Sequence, residues 1–271
     1  MPFPDNILLG TSAFTASGWV GSFYPAGMKP ADFLSYYATQ FNVVELDNTF
    51  YRTPSASVVE GWNLKTPPGF IFAAKVPQVI THDKVLVDCD DDLNHFLRTM
   101  SALGDKLGPL LFQFGYFNRS VFKSGSEFVA RLKPFLEKLP KEFAFALEIR
   151  NKTWLDARFV DLLRQHNVAL ALIDQSWMPR PWEIKEKLDL ATTDWTYVRL
   201  LGDRKGIEAE TKTWDKVIVD RTSDLRSWVD VLKQMVTNKK IRKLFAFANN
   251  HYAGHGPATV KLFTQLWGKE E

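Results

Sequence analysis

The stretch Phe143-Ala144-Phe145-Ala146-Leu147-Glu148-Ile149-Arg150 alternates strictly. Phe143, Phe145, Leu147 and Ile149 form a bulky set, whereas Ala144, Ala146, Glu148 and Arg150 begin small and end charged. Successive side chains on a strand point to opposite faces. In a closed barrel the outward set packs on helices and the inward set fills the interior. The bulky set therefore belongs outside, and Glu148 and Arg150 belong inside, at the C-terminal end of the strand.

Seven other segments behave alike: residues 7–12, 43–47, 70–76, 110–114, 169–173, 195–201 and 244–248. Their polar ends are Gly10-Thr11-Ser12, Glu45-Leu46-Asp47-Asn48, Lys75, Gln113, Asp174, Arg199 and Asn249-Asn250-His251. Helical patterns follow at residues 31–41, from Ser55, from Asp90, at 126–139, 157–166, 224–236 and 257–267. The weakest connection comes after 169–173, where any helix near 183–187 is short, and residues 202–223 form a long polar insertion. Strands alternating with helices imply a parallel sheet. Eight repeats in 271 residues predict a single (β/α)8 TIM barrel, spanning 1–271 as one domain, over the alternative of an open doubly wound sheet. In that fold the site lies at the C-terminal ends of the strands.

The formal charge of +3 is spread along the chain without a block of Lys or Arg, which argues against a dedicated nucleic-acid tail. The one cysteine, Cys89, excludes an internal disulfide. Its acidic neighbours Asp88 and Asp90 disfavour a reactive thiolate. No apolar run approaches the roughly 18 residues of a membrane span. The first residues lack the basic start and apolar stretch of a signal peptide, so a cytoplasmic location is expected.

The alternation test applied to every strand predicts an inward ring of Glu45, Lys75, Gln113, Glu148, Arg150, Asp174, Arg199 and Asn250, with Asp47 also inward. A self-paired ion network that sets strand register is the competing explanation. Burying so many charges is costly unless each is paired, and ionisable groups gathered at a barrel mouth favour a functional site.

Together these segments resemble the YecE-like family, the domain of unknown function 72. The resemblance is carried by Gly10-Thr11-Ser12 with Gly18-Trp19-Val20-Gly21-Ser22-Phe23-Tyr24-Pro25, and by Val44-Glu45-Leu46-Asp47-Asn48-Thr49-Phe50-Tyr51-Arg52. It continues through Lys75-Val76-Pro77, Ile80-Thr81-His82, Leu107-Gly108-Pro109-Leu110-Leu111-Phe112-Gln113, and Glu148-Ile149-Arg150 with Thr153-Trp154. Tyr197-Val198-Arg199-Leu200 and Asn249-Asn250-His251-Tyr252 complete it. The family implies a TIM barrel and supplies no established activity. Two departures stand out: Leu201-Gly202 replaces the His-Gly of many relatives, and Phe114-Gly115-Tyr116 replaces a Pro-rich turn.

The residues support an acid–base enzyme, or a ligand-binding protein, for a small polar and anionic molecule. Glu45, Glu148 or Asp174 is the candidate base, with Lys75 as acid or electrostatic stabiliser beside Arg150. Ser12, Trp19, Tyr24, Asn48, Tyr51, Gln113, Arg199, Asn249, Asn250 and His251 are the candidate binding residues. Arg204, Lys205 and Gly254-His255-Gly256, before a helix at Pro257, form a candidate anion site. Glu45, Glu148, Asp174, His82 and His251 are of ligand type, but five histidines in all argue against a multinuclear centre, and no metal is assigned. His95 and His166 belong on helices, as surface or packing residues.

Nucleic acid is the less favoured alternative. Trp19, Tyr24, Phe50, Tyr51, Trp154, Trp177 and Trp182 would gather in loops beside Arg52 and Arg180 and could stack bases. A third alternative is a non-catalytic interaction module. No P-loop, Rossmann fingerprint or Gly-x-Ser-x-Gly elbow occurs, and nothing calls for a haem or flavin. No cofactor and no oligomeric state is assigned.

Overall fold

A computed structural model describes residues 4–238 and 240–268. The eight strands are β1 (Ile7–Thr11), β2 (Val43–Leu46), β3 (Ile71–Lys75), β4 (Leu107–Gln113), β5 (Phe145–Glu148), β6 (Ala169–Gln175), β7 (Trp195–Gly202) and β8 (Lys243–Ala248). All ladders are parallel, and the hydrogen-bonded order runs β1-β8-β7-β6-β5-β4-β3-β2. β1 and β2 lie against each other and complete a TIM barrel.

The principal helices between strands are α1 (Phe33–Gln40), α2 (Ala56–Leu64), α3 (Asp90–Met100), α4 (Gly125–Glu137) and α5 (Ala157–Gln165). The connection after β6 holds only the short α6 (Pro181–Ile184), as its sequence implies. The insertion after β7 holds an unexpected helix, α7 (Arg204–Glu210), before α8 (Thr222–Thr237). After β8 come α9 (Asn250–Ala253) and α10 (Gly256–Gly268). Among the described residues no helix is long and apolar enough to cross a membrane.

Helix starts follow local chemistry. Ser124 and Asp156 accept hydrogen bonds from Glu127 N–H and Phe159 N–H, satisfying donors that the first turn leaves without partners. Cys89 is buried, and burial with nearby Asp90 and Asp92 pushes its thiol up, so it is an inert packing residue.

The wall divides as the alternation requires. Phe72, Phe112, Leu147 and Val198 join the outer core under the helices, while Ala73, Leu111, Ala146 and Tyr197 join the interior core. β8 runs opposite to expectation. Phe245 and Phe247 point inward, and Ala246 and Ala248 point outward. The interior supplies the reason: strands β3, β5 and β6 contribute small alanines at Ala73, Ala146, Ala169 and Ala171, so large rings are needed opposite to fill the volume. Tyr197 and Phe247 meet there, with ring centroids 5.0 Å apart.

The β1–β2 seam is closed by a side chain. Tyr37 Oη, fully buried on α1, accepts from Thr11 N–H at 2.9 Å and donates to Val43 C=O at 3.1 Å. It thereby satisfies backbone groups on both strands. Gly10 makes the approach feasible, since a Cβ there would lie 2.1 Å from Val43 O. Tyr37→Phe should lower the unfolding free energy by about 1–3 kcal/mol, because two buried backbone groups lose a partner. Urea unfolding checks this; an unchanged midpoint would show that the seam holds without the hydroxyl.

Candidate functional site

The centre of the site is a buried ion network at the C-terminal end of the barrel. β2, β5 and β7 carry Glu45, Glu148 and Arg199 inward at this level. Arg199 is 2% exposed and the two carboxylates are fully buried. Arg199 Nε donates to Glu45 Oε2 at 2.9 Å, Nη2 to Oε1 at 2.9 Å, and Nη1 to Glu148 Oε2 at 2.8 Å. Tyr197, one inward position below, donates its hydroxyl to Glu45 Oε2 at 2.6 Å.

Electrostatics follow from this packing. Burial alone would push the Glu148 carboxyl up, but Arg150 and Arg199 outweigh it and hold the group down at about 2. Burial and the Glu45 carboxylate raise the Tyr197 hydroxyl well above its ordinary range. The two glutamates keep Arg199 firmly charged despite its burial.

Above this floor lies a second, more open layer. Arg150 pairs with Glu148 Oε1 and donates to Gln175 Oε1. Lys75 Nζ lies 2.7 Å from Asp47 Oδ1 and 4.6 Å from the centroid of the Phe50 ring. Asp47 Oδ1 is also 3.6 Å from Arg199 Nη2, which ties the two layers together. His82 stands beside Phe50, with ring centroids 5.0 Å apart, and its Nδ1 is 2.8 Å from Thr81 Oγ1. Across both layers, Glu45, Asp47 and Glu148 face Lys75, Arg150 and Arg199, and the charges balance.

The structure thus brings together Glu45, Lys75, Glu148, Arg150 and Arg199. Arg199 is enclosed by carboxylates beneath the mouth, rather than presented to a ligand as expected. Gln113 is half-buried and donates from Nε2 to Phe114 O. Ser12 is buried near the same strand ends, and its hydroxyl has no hydrogen-bond partner. Asn48 and Tyr51 are exposed on the rim.

Asp174 requires correction. It lies outside the barrel wall, accepting from Trp228 Nε1 at 2.7 Å, Tyr252 Oη at 3.1 Å and Arg180 Nε at 3.1 Å. It shares parity with Leu170 and Leu172, which pack under helices, whereas Ala169, Ala171 and Gln175 face inward. That pattern was present in the sequence and singles out Gln175. Asn250 is likewise not in the ring: its Oδ1 accepts from Trp19 Nε1 at 3.2 Å and Gly256 N–H at 2.8 Å. Tyr197, two residues before Arg199 on the same face, belongs to the network although the sequence pattern alone assigns it no place in the ring.

The remaining candidates pack loops together. Trp19 and Tyr24 are buried, with Tyr24 donating to Phe14 O. Asn249 Oδ1 caps α9 through His251 N–H, and the His251 ring bridges Asn249 and Glu208. Arg204 is exposed and paired with Glu208, and Lys205 is exposed beside it. The expected anion site before Pro257 is closed, because Asn250 and His255 already cap that helix start through Gly256 N–H and Ala258 N–H. Among the described residues no three His, Cys, Asp or Glu side chains group so as to hold a metal ion, and the five ligand-type residues do not converge. Of the loop aromatics, Trp154 is also buried and Trp182 packs on Trp228, which leaves Tyr51 and Trp177 exposed.

Comparison with known proteins agrees with this architecture. The family described as "Protein of unknown function DUF72" matches residues 8–271. UPF0759 protein YecE of Escherichia coli K12 is 35% identical over 118 residues, covering 44% of this chain and 41% of YecE. UPF0759 protein YunF of Bacillus subtilis is 30% identical over 153 residues, covering 54% of this chain and 52% of YunF. The chain thus spans about half the length of the curated relatives it matches. The crystal structure of a DUF72 family protein from Thermotoga maritima superposes with a TM-score of 0.75 at 27% identity, covering 97% of this chain and 99% of that one. Family match and shared barrel lead to one conclusion: this chain belongs to the DUF72 family.

Proposed function

We propose that this chain is an acid–base enzyme whose substrate is a small anionic molecule, held at the C-terminal mouth of the barrel by Lys75 and Arg150. The supporting observation is a division among the cations. Arg199 is enclosed by Glu45 and Glu148 below the mouth, whereas Lys75 and Arg150 keep donors beyond their protein partners. An ammonium carries three N–H donors and a guanidinium five. Lys75 has one carboxylate partner, Asp47, and Arg150 has Glu148 and Gln175. Fixed donors over a neutralised, buried floor suit an oxyanion of the substrate, or one that develops during proton transfer.

Lys75→Met tests this reading. Removing one charge-assisted contact should weaken sulfate binding roughly tenfold, measured by calorimetry, while the barrel stays folded. Sulfate affinity equal to that of the unaltered protein would sink the proposal. A panel of phosphorylated and carboxylated metabolites, screened by thermal shift, then narrows the substrate.

A further inference from the structure

Resting on the anion reading above, we infer that His82 completes the subsite with Lys75 and Arg150, and that it takes up a proton when a tetrahedral or carboxylate oxyanion binds there. The geometry comes from three elements. The turn at Val79–Asp83 after β3 carries His82, and its Nδ1 is held by buried Thr81 Oγ1 at 2.8 Å. That leaves Nε2 as the ring nitrogen available to a ligand. Phe50, after β2, orients the imidazole edge-to-face and also carries Lys75 Nζ against its ring, so both cationic candidates are fixed on one aromatic side chain.

The third element is the segment just after β4, where Phe114 N–H bonds to Glu148 O at 2.9 Å and Gly115 follows beside His82. A Cβ on Gly115 would come within 3.1 Å of His82 Nε2. Glycine at this position therefore leaves room around Nε2. The Phe114-Gly115-Tyr116 segment thereby acquires a physical role.

The charges around His82 set the direction of the linkage. Lys75 from β3 and Arg150 from the end of β5 oppose the imidazolium, Asp83 on its own turn favours it, and Phe50 and Gly115 are uncharged. Burial first, and then Lys75, hold the imidazole below its ordinary value of 6.5, so the empty site is neutral at His82 near pH 7. A bound dianion offsets both cations and favours the charged imidazole. Its pKa rises, one proton is taken from solvent as the anion binds, and no bond to the ligand is made or broken. Affinity is then greatest below the free-site pKa and falls by up to tenfold per pH unit between the free-site and bound-site values.

Calorimetry of sulfate binding in two buffers of different ionisation enthalpy reads the proton directly, since sulfate stays a dianion throughout pH 5–8. The expected result is uptake approaching one proton per sulfate near neutral pH, and none in His82→Gln. In the unaltered protein, the NMR titration midpoint of His82 should move upward when sulfate is added, a readout that needs no variant. Sulfate binding without proton uptake, or uptake that persists in His82→Gln, overturns the role of His82 and leaves the Lys75–Arg150 site standing. Absence of sulfate binding at every pH overturns both.

Discussion

Arg199→Met is expected to lower the unfolding free energy by roughly 3–5 kcal/mol. Methionine restores most of the volume but none of the charge. Glu45 and Glu148 are fully buried and meet on opposite sides of this one guanidinium. Glu148 would retain Arg150, but Glu45 would keep only the Tyr197 hydroxyl at 2.6 Å. An uncompensated buried carboxylate must either stay charged at high cost or take a proton. The double variant Glu45→Gln with Arg199→Met should lose less than the sum of the two single changes, because it removes both partners together. Arg199→Lys should fall between, since a lysine ammonium keeps the charge but lacks the planar fork that serves both carboxylates. Urea unfolding followed by tryptophan fluorescence gives these values, and a loss below about 1 kcal/mol for Arg199→Met would show that the network is not what secures the strand ends.

The second large effect is acid sensitivity. The Glu148 carboxyl is held at about 2 in the folded chain, against 4.5 as its ordinary value. A depressed carboxyl stabilises the fold fully above the unfolded value and ceases to do so as pH falls through the folded one. Stability should therefore be highest above about pH 5 and decline toward pH 2, with roughly 3 kcal/mol of the decline due to Glu148. Glu148→Gln cannot titrate, so its unfolding free energy should be lower at pH 7 and flatter across that window. Parallel slopes for the two proteins would assign acid sensitivity to other carboxylates.

Much of this site is legible in the sequence. Bulky–small alternation placed Glu45, Lys75, Gln113, Glu148, Arg150 and Arg199 on the inward face, because a side chain's face on a strand depends only on its parity. Parity failed for Asn250, where the interior needed Phe245 and Phe247 opposite a patch of alanines on distant strands. For Asp174 the rule itself was sound: Leu170 and Leu172 marked its face, and Gln175 was the inward residue. Trp19, Asn249 and His251, outside the strands, had no period to read. Their partners, Asn250 on α9, Glu208 on α7 and Trp214 in the insertion after β7, lie on other segments and are met only through folding.

By itself, then, the chain's pattern determined the eight strands, their closure into a barrel and the face on which polar groups collect, because those properties follow from local periodicity and the need to bury one side of each element. Tertiary structure alone decided which charges are engaged and which remain open. Arg199 and Arg150 are the same residue type on β7 and just after β5, with β6 between them, yet one is enclosed by Glu45 and Glu148 while the other reaches the mouth. Pairing depends on distances of a few ångströms across the barrel, between residues as far apart in sequence as Glu45 and Arg199. A coulombic interaction that steep in distance and dielectric has no counterpart in the order of residues along the chain.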